Sequence, residues 1–141
     1  MASRSHHVAA ITPDPDAVIA FLHDVIGLDI ITTELAAPPE AATHILGWPE
    51  GNPGVRGAML GKGPGGIVEV IGIPPEIQDE VPAGFALISF ATPDLEARVE
   101  ACRESGVECS DPMRTKGEGM DLTGAVAKVG GLSFELLRFE S

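Results

Sequence analysis

The apolar and polar positions fall into short runs that repeat. His6–Ile11 is a compact, β-branched apolar run, and strand alternation puts His7, Ala9 and Ile11 on one face with His6 and Val8 on the other. Asp14 then offers an N-cap, Pro15 suits the first helical position, and Asp16 complements the helix dipole. Val18, Phe21, Leu22 and Val25 recur at helical spacing, which predicts one buried stripe, and Gly27 supplies a left-handed stop. A strand over Leu28–Glu34 follows. Val55–Leu60 and Ile67–Ile73 read as a hairpin around Gly61–Gly66.

The second part of the chain restates the first. Thr12-Pro13-Asp14-Pro15-Asp16-Ala17 returns as Thr92-Pro93-Asp94-Leu95-Glu96-Ala97, at an offset of 80 residues. Each copy follows an apolar run, precedes a helical pattern that stops at Gly (Gly27, Gly106), and ends in a Gly-Gly turn and an apolar strand holding one glutamate, Glu69 or Glu135. Four features in one order indicate a duplication. The second copy predicts strands at Phe85–Ala91, near Val107, and at Gly124–Val129 and Leu132–Phe139, with a helix from Leu95 to Ser105. The fold class expected is α+β: two tandem βαβββ modules, about residues 6–76 and 85–139 joined by a linker over 77–84, within a single domain. Residues 35–54 are the main asymmetry, a proline-rich excursion carrying His44 and Trp48.

Composition adjusts this picture in three places. The 17 Gly and 12 Pro in 141 residues fit many turns between short strands. Nine Lys and Arg against 21 Asp and Glu give a net charge of −12, which argues against nucleic acid and against an anionic membrane surface. No run approaches the roughly 18 apolar residues of a membrane span, and the start lacks the apolar core of a signal peptide, so a cytoplasmic protein is expected. Cys102 and Cys109 cannot form a disulfide framework or a structural zinc site and read as small buried thiols.

The chemistry concentrates in few residues. Glu69 in Gly66-Ile-Val-Glu-Val-Ile-Gly and Glu135 in Ser133-Phe-Glu-Leu-Leu sit in apolar strands, where a carboxylate needs a metal, a cation or a proton. Arg56 is a candidate ion-pair partner for Glu69, and Arg56 or Lys62 could hold a substrate carboxylate or phosphate. His44, Trp48, Met59, Met113 and Met120 are candidates to line a cleft. There is no Walker loop, no GxGxxG after a strand, no GxSxG and no HExxH.

Two βαβββ units, His-Val-Ala opening the first strand, a PD-x-D/E-A helix start, a Gly-Leu after the helix and a Glu in each last strand resemble the vicinal oxygen chelate superfamily, over about residues 6–139. That family includes glyoxalase I, methylmalonyl-CoA epimerase, extradiol dioxygenases, and fosfomycin and bleomycin resistance proteins. The resemblance implies a sheet curled around a cleft and a divalent metal (Zn, Ni, Co, Mn, Fe or Mg) held by His7, Glu69 and Glu135. The fourth ligand place falls on Leu87, by the offset from His7, and Leu cannot bind a metal. One imidazole and two carboxylates still form a three-ligand set with open positions. Leu87 and Ser89 become cleft candidates on the second opening strand. Glu34, Glu40 or Glu50 could supply a separate base of the epimerase kind.

The function implied is a glyoxalase- or epimerase-like isomerase or lyase acting on a small carbonyl or thioester. Glu69 and Glu135 would be the catalytic carboxylates, Glu135 doubling as base. The alternatives are a metal-free small-molecule binder of the bleomycin-resistance kind, or a metal-independent acid/base isomerase using the same cleft. A homodimer is expected, formed side by side or by exchanging modules.

Overall fold

The computed structural model describes residues 4–62, 66–117 and 120–140, apart from the side chains of Arg4 and Lys62. Nine strands build one mixed sheet: β1 (Arg4–Thr12), β2 (Ile30–Ala37), β3 (Val55–Lys62), β4 (Gly66–Gly72), β5 (Gly84–Ala91), β6 (Glu108–Cys109), β7 (Met113–Gly117), β8 (Met120–Val129) and β9 (Leu132–Phe139). Their order is β2-β3-β4-β1-β5-β9-β8-β6, with β7 also paired to β8. The two opening strands, β1 and β5, run antiparallel in the middle, and each pairs in parallel with the closing strand of its own module, β4 or β9. The sheet is therefore two like halves back to back, as the internal repeat implies. The turn expected between β3 and β4 lies outside the described residues.

The helices cover the outer face. Helix α1 (Pro15–Ala20) starts where Asp14 accepts a bond from the Ala17 N–H at 3.2 Å, and α3 (Leu95–Glu104) occupies the matching place in the second half. Both stop at a glycine with positive φ, Gly27 at 88° and Gly106 at 80°. The buried stripe of α1 differs from the expected one. Val18, Ile19 and Leu22 pack on Ala58, Leu60 and Val70, whereas Phe21 and Val25 are exposed. The reason is a π-turn over Phe21–Val25, in which Ile26 donates to the Phe21 carbonyl five residues back. The wider turn rotates the later side chains off the 3.6-residue stripe. Helix α3 sets Leu95 and Val99 against Ala125 and Leu136.

The inner face curls around a cleft. Residues 35–54 are only partly irregular: β2 runs on to Ala37, a helical segment covers α2 (Pro39–Ala41) and Ala42–Leu46, and residues 47–54 return without helix or strand. Asn52 ties its return. Its amide donates to the Pro49 carbonyl (2.9 Å) and Thr43 Oγ1 (3.1 Å), and its Oδ1 accepts from the Gly54 N–H (2.9 Å). Trp48 is buried in the inner core with Ala9, Ile11, Val55, Ile71 and Leu87. On the other side β7, which the sequence pattern did not reveal as a separate strand, approaches β2 so closely that a Cβ at Gly117 would lie 1.9 Å from the Ala36 carbonyl oxygen. Only glycine permits that approach. No helix among the described residues is long and apolar enough to cross a membrane.

Candidate active site

The central strands bring the three sequence-selected residues together. In the β1–β4 ladder Ala9 faces Glu69, and in the β1–β5 and β5–β9 ladders Ser89 faces His7 and Glu135. These registers put His7, Glu69 and Glu135 on the cleft side, where they line one cavity that is partly open to solvent. His7 and Glu69 are each 8% exposed and Glu135 5%.

The groups satisfy one another. His7 Nε2 lies 3.1 Å from Glu69 Oε1. The fully buried Ser89 hydroxyl donates to Glu135 Oε1, and a Cβ at Gly124 would sit 3.3 Å from Glu135 Oε2, so glycine leaves room for the carboxyl there. Burial pushes the Glu135 carboxyl above its usual value and the Glu69 charge adds to this, against the opposing Ser89 bond and His7 charge. Burial by itself would lower the His7 imidazole, but the Glu69 hydrogen bond and charge, with the charge of Glu135, raise it overall. Glu69 thus finds its cation in His7, not in Arg56, which is exposed and outside the cavity.

Two residues of the site were not singled out by the sequence pattern. His6 lines the same cavity, with Nδ1 2.8 Å from His7 Nδ1 and its ring 4.9 Å from that of Phe139. Strict alternation assigns it to the opposite face, but the β1–β5 register shifts between Ser5 and His7, and such an irregularity lets neighbouring side chains share a side. Thr115 on β7 also lines the cavity, buried, and its hydroxyl has no hydrogen-bond partner among the described residues. The signal that could have found it was a fifth strand in the second half.

The other candidates divide. Met59, Leu87 and Met120 line the cavity; Trp48 does not, being part of the core beneath it. His44 borders a separate polar recess with Glu40 and Glu50, its Nε2 3.4 Å from Ser110 Oγ. Glu34 is exposed, and neither it nor Met113 lines the cavity. The Lys62 side chain lies outside the described residues. Cys102 and Cys109 are free thiols, half-buried.

The donor set has the chemistry of a three-ligand metal site, yet its arrangement does not fit one. Among the described residues no group of three or more His, Cys, Asp and Glu is placed to hold an ion. The His7 and Glu69 donor atoms face each other, Glu135 is held by Ser89, and Leu87 presents a hydrocarbon side chain to the cavity.

Comparison with known proteins agrees with this architecture. Methylmalonyl-CoA epimerase from Mycobacterium tuberculosis is 17% identical, with a TM-score of 0.69 over 98% of this chain and 89% of that one. A Streptomyces coelicolor methylmalonyl-CoA epimerase variant in complex with 2-nitronate-propionyl-CoA is 22% identical, with a TM-score of 0.72 over 100% of both chains. A hypothetical protein from Bacillus halodurans is 16% identical, with a TM-score of 0.73 over 100% of this chain and 97% of that one. At these identities the likeness concerns the fold. A sequence comparison with curated proteins finds no match. The profile described as Glyoxalase/Bleomycin resistance protein/Dioxygenase superfamily, however, matches residues 4–133, and with the paired modules and the curled sheet it establishes that this chain belongs to that superfamily.

Proposed function

We propose that the chain is an isomerase that moves a proton beside the carbonyl of a small ketone or thioester, with Glu135 as the base. The observation that carries this reading is the buried set of His7, Glu69 and Glu135 in an otherwise apolar cavity. A carboxyl whose proton affinity is raised by burial takes and returns a proton more readily near neutral pH than an ordinary glutamate does. The step is balanced within the substrate: the α-C–H bond breaks, its proton goes to Glu135, and the electron pair moves to the carbonyl oxygen as an enolate. The proton then returns to the same or a neighbouring carbon.

His7 supplies the opposing charge. When protonated it donates Nε2–H to Glu69 and Nδ1–H to His6. His6 is suited to accept, because burial and the neighbouring His7 charge both depress its own protonation. The cation so held stabilises negative charge developing on the enolate oxygen, an effect strengthened by apolar walls. No step in this scheme passes through a metal.

The test is deuterium uptake from D2O by α-branched thioesters, read by mass spectrometry. Uptake by the native protein and its loss in Glu135→Gln is the expected result. Unchanged uptake in Glu135→Gln would remove Glu135 from the reaction. Tight binding without exchange would leave a small-molecule binder. Activity that disappears with a chelator and returns only with added manganese, cobalt or zinc would favour the ion-dependent reading in which His7, Glu69 and Glu135 are ligands.

A further inference from the structure

Several neighbours in fold are methylmalonyl-CoA epimerases, whose substrate carries a free carboxylate, but the walls of this cavity are built for something else. Among its described lining residues there is no Lys or Arg, while two carboxylic side chains, Glu69 and Glu135, face inward. Among the described lining residues, those that can carry positive charge are His6 and His7, and they are already bonded to each other, His7 to Glu69 as well. A substrate carboxylate placed here would meet like charges in an apolar surrounding, with no free cation to neutralise it. The rest of the wall is aliphatic or thioether, including Leu35, Ile45, Met59, Leu87 and Leu122, and Phe139 is its one carbocyclic ring among the described residues. Such a wall fits a saturated chain better than a flat stacked ring.

One polar group in the wall has no role within the protein. Thr115 is 2% exposed, and its hydroxyl finds no partner among the described residues although it borders the cavity. A buried hydroxyl left this way costs stability unless a ligand completes it. Its position is remote from the proposed base. On β8, Leu122 faces Thr115 and Val126 faces Glu135, a separation of four residues, or about 13 Å along the strand.

We propose that the cavity takes an uncharged, branched aliphatic acyl chain whose far end bears a hydroxyl or keto oxygen that bonds Thr115. This rests on the reading above in that Glu135 marks the reacting end. The carbonyl and α-carbon sit by Glu135 and His7, the chain fills the aliphatic wall, and the distal oxygen satisfies Thr115. Both exclusion of carboxylates and preference for a distal oxygen then come from this chain's own residues.

The experiment uses matched pantetheine thioesters of α-methyloctanoic acid: the parent, its ω-hydroxy and ω-carboxy derivatives, and methylmalonyl pantetheine. Dissociation constants come from calorimetry, and exchange from D2O uptake. The ω-hydroxy compound is expected to bind about tenfold more tightly than the parent, and both carboxylates about 100-fold more weakly than the ω-hydroxy compound. Thr115→Val should erase the hydroxyl advantage over the parent. A carboxylate that binds as well as the ω-hydroxy compound overturns the proposal, as does equal binding of parent and ω-hydroxy compounds by the native protein. The binding series on native protein needs no variant to fold. Absence of exchange from every compound would defeat the isomerase reading alone, while the order of binding would still decide this one.

Discussion

Replacing Glu135 by Gln tests the buried carboxyl through stability, independently of any substrate. The amide keeps the shape of the side chain and an oxygen for the Ser89 hydroxyl, but it does not titrate. In the native protein, burial raises the Glu135 carboxyl above the ordinary value of 4.5. The folded state therefore keeps a proton that the unfolded chain has released, and stability falls as pH rises from the unfolded value through the folded one. The slope is at most about 1.4 kcal/mol per pH unit while the two states differ by one proton. His7, also raised, adds a loss of the same sign only above its ordinary 6.5. Exposed Glu96 and half-buried Asp121 and Glu140 are lowered by their arginine or hydroxyl partners, so their effect falls below the usual carboxylate range. Between those limits the lowered His6 opposes Glu135, adding stability as pH rises toward 6.5 in native protein and variant alike, so the difference between the two proteins isolates Glu135. Urea denaturation at several pH values from about 5 to 6.5 should show Glu135→Gln gaining on the native protein by up to about 2 kcal/mol as pH rises. Parallel pH dependences for the two proteins would refute the reasoning.

Other expectations follow from single contacts. Gly117→Ala places a Cβ 1.9 Å from the Ala36 carbonyl oxygen, so β7 and β2 must separate. The expected cost is about 1–3 kcal/mol, with faster amide exchange in both strands; unchanged stability would show that this approach does not matter. Asn52→Ala strips the buried Gly54 N–H of its acceptor and removes the side-chain bonds to Thr43 Oγ1 and to the Pro49 carbonyl, which keeps only the Asn52 backbone N–H. A loss of about 2–4 kcal/mol in denaturant unfolding is expected, and a loss below 0.5 kcal/mol would count against the tie described here. Without ligand, Thr115→Val should raise stability by about 1 kcal/mol or more, since it removes an unpartnered hydroxyl from the cavity wall. A fall in melting temperature would show that the hydroxyl has a partner.

Much of the architecture was legible because a repeat carries its own alignment. The hexapeptide beginning at Thr12 and Thr92, the glycines that end both helices, and the glutamates at 69 and 135 are local signals, and local signals survive in one dimension. From them came the paired modules, the opening and closing strands, and the three residues that now share a cavity. The Leu87 departure was visible for the same reason, since an offset of 80 points to it directly.

What remained hidden depends on register and distance. The face that α1 packs inward was not readable to its end, because a π-turn begins at Phe21 and moves Val25 off the helical stripe without any change in hydrophobic content. His6 joined the site through a register shift in β1, where pure alternation sends it away. Trp48 and Arg56 sit next to apolar stretches in sequence, yet only packing decides that one enters the core and the other faces solvent. The closure of β7, which carries Thr115, on β2 joins Gly117 to Ala36 across 81 positions of sequence. The sequence alone thus determined the paired-module fold and singled out three titratable residues that come to line one cavity, because a repeat and its motifs are local signals. The tertiary structure decided which donors face one another, and so the chemistry they are free to do, because hydrogen bonds and ion pairs act over about 3 Å, a scale that no pattern along the chain can resolve.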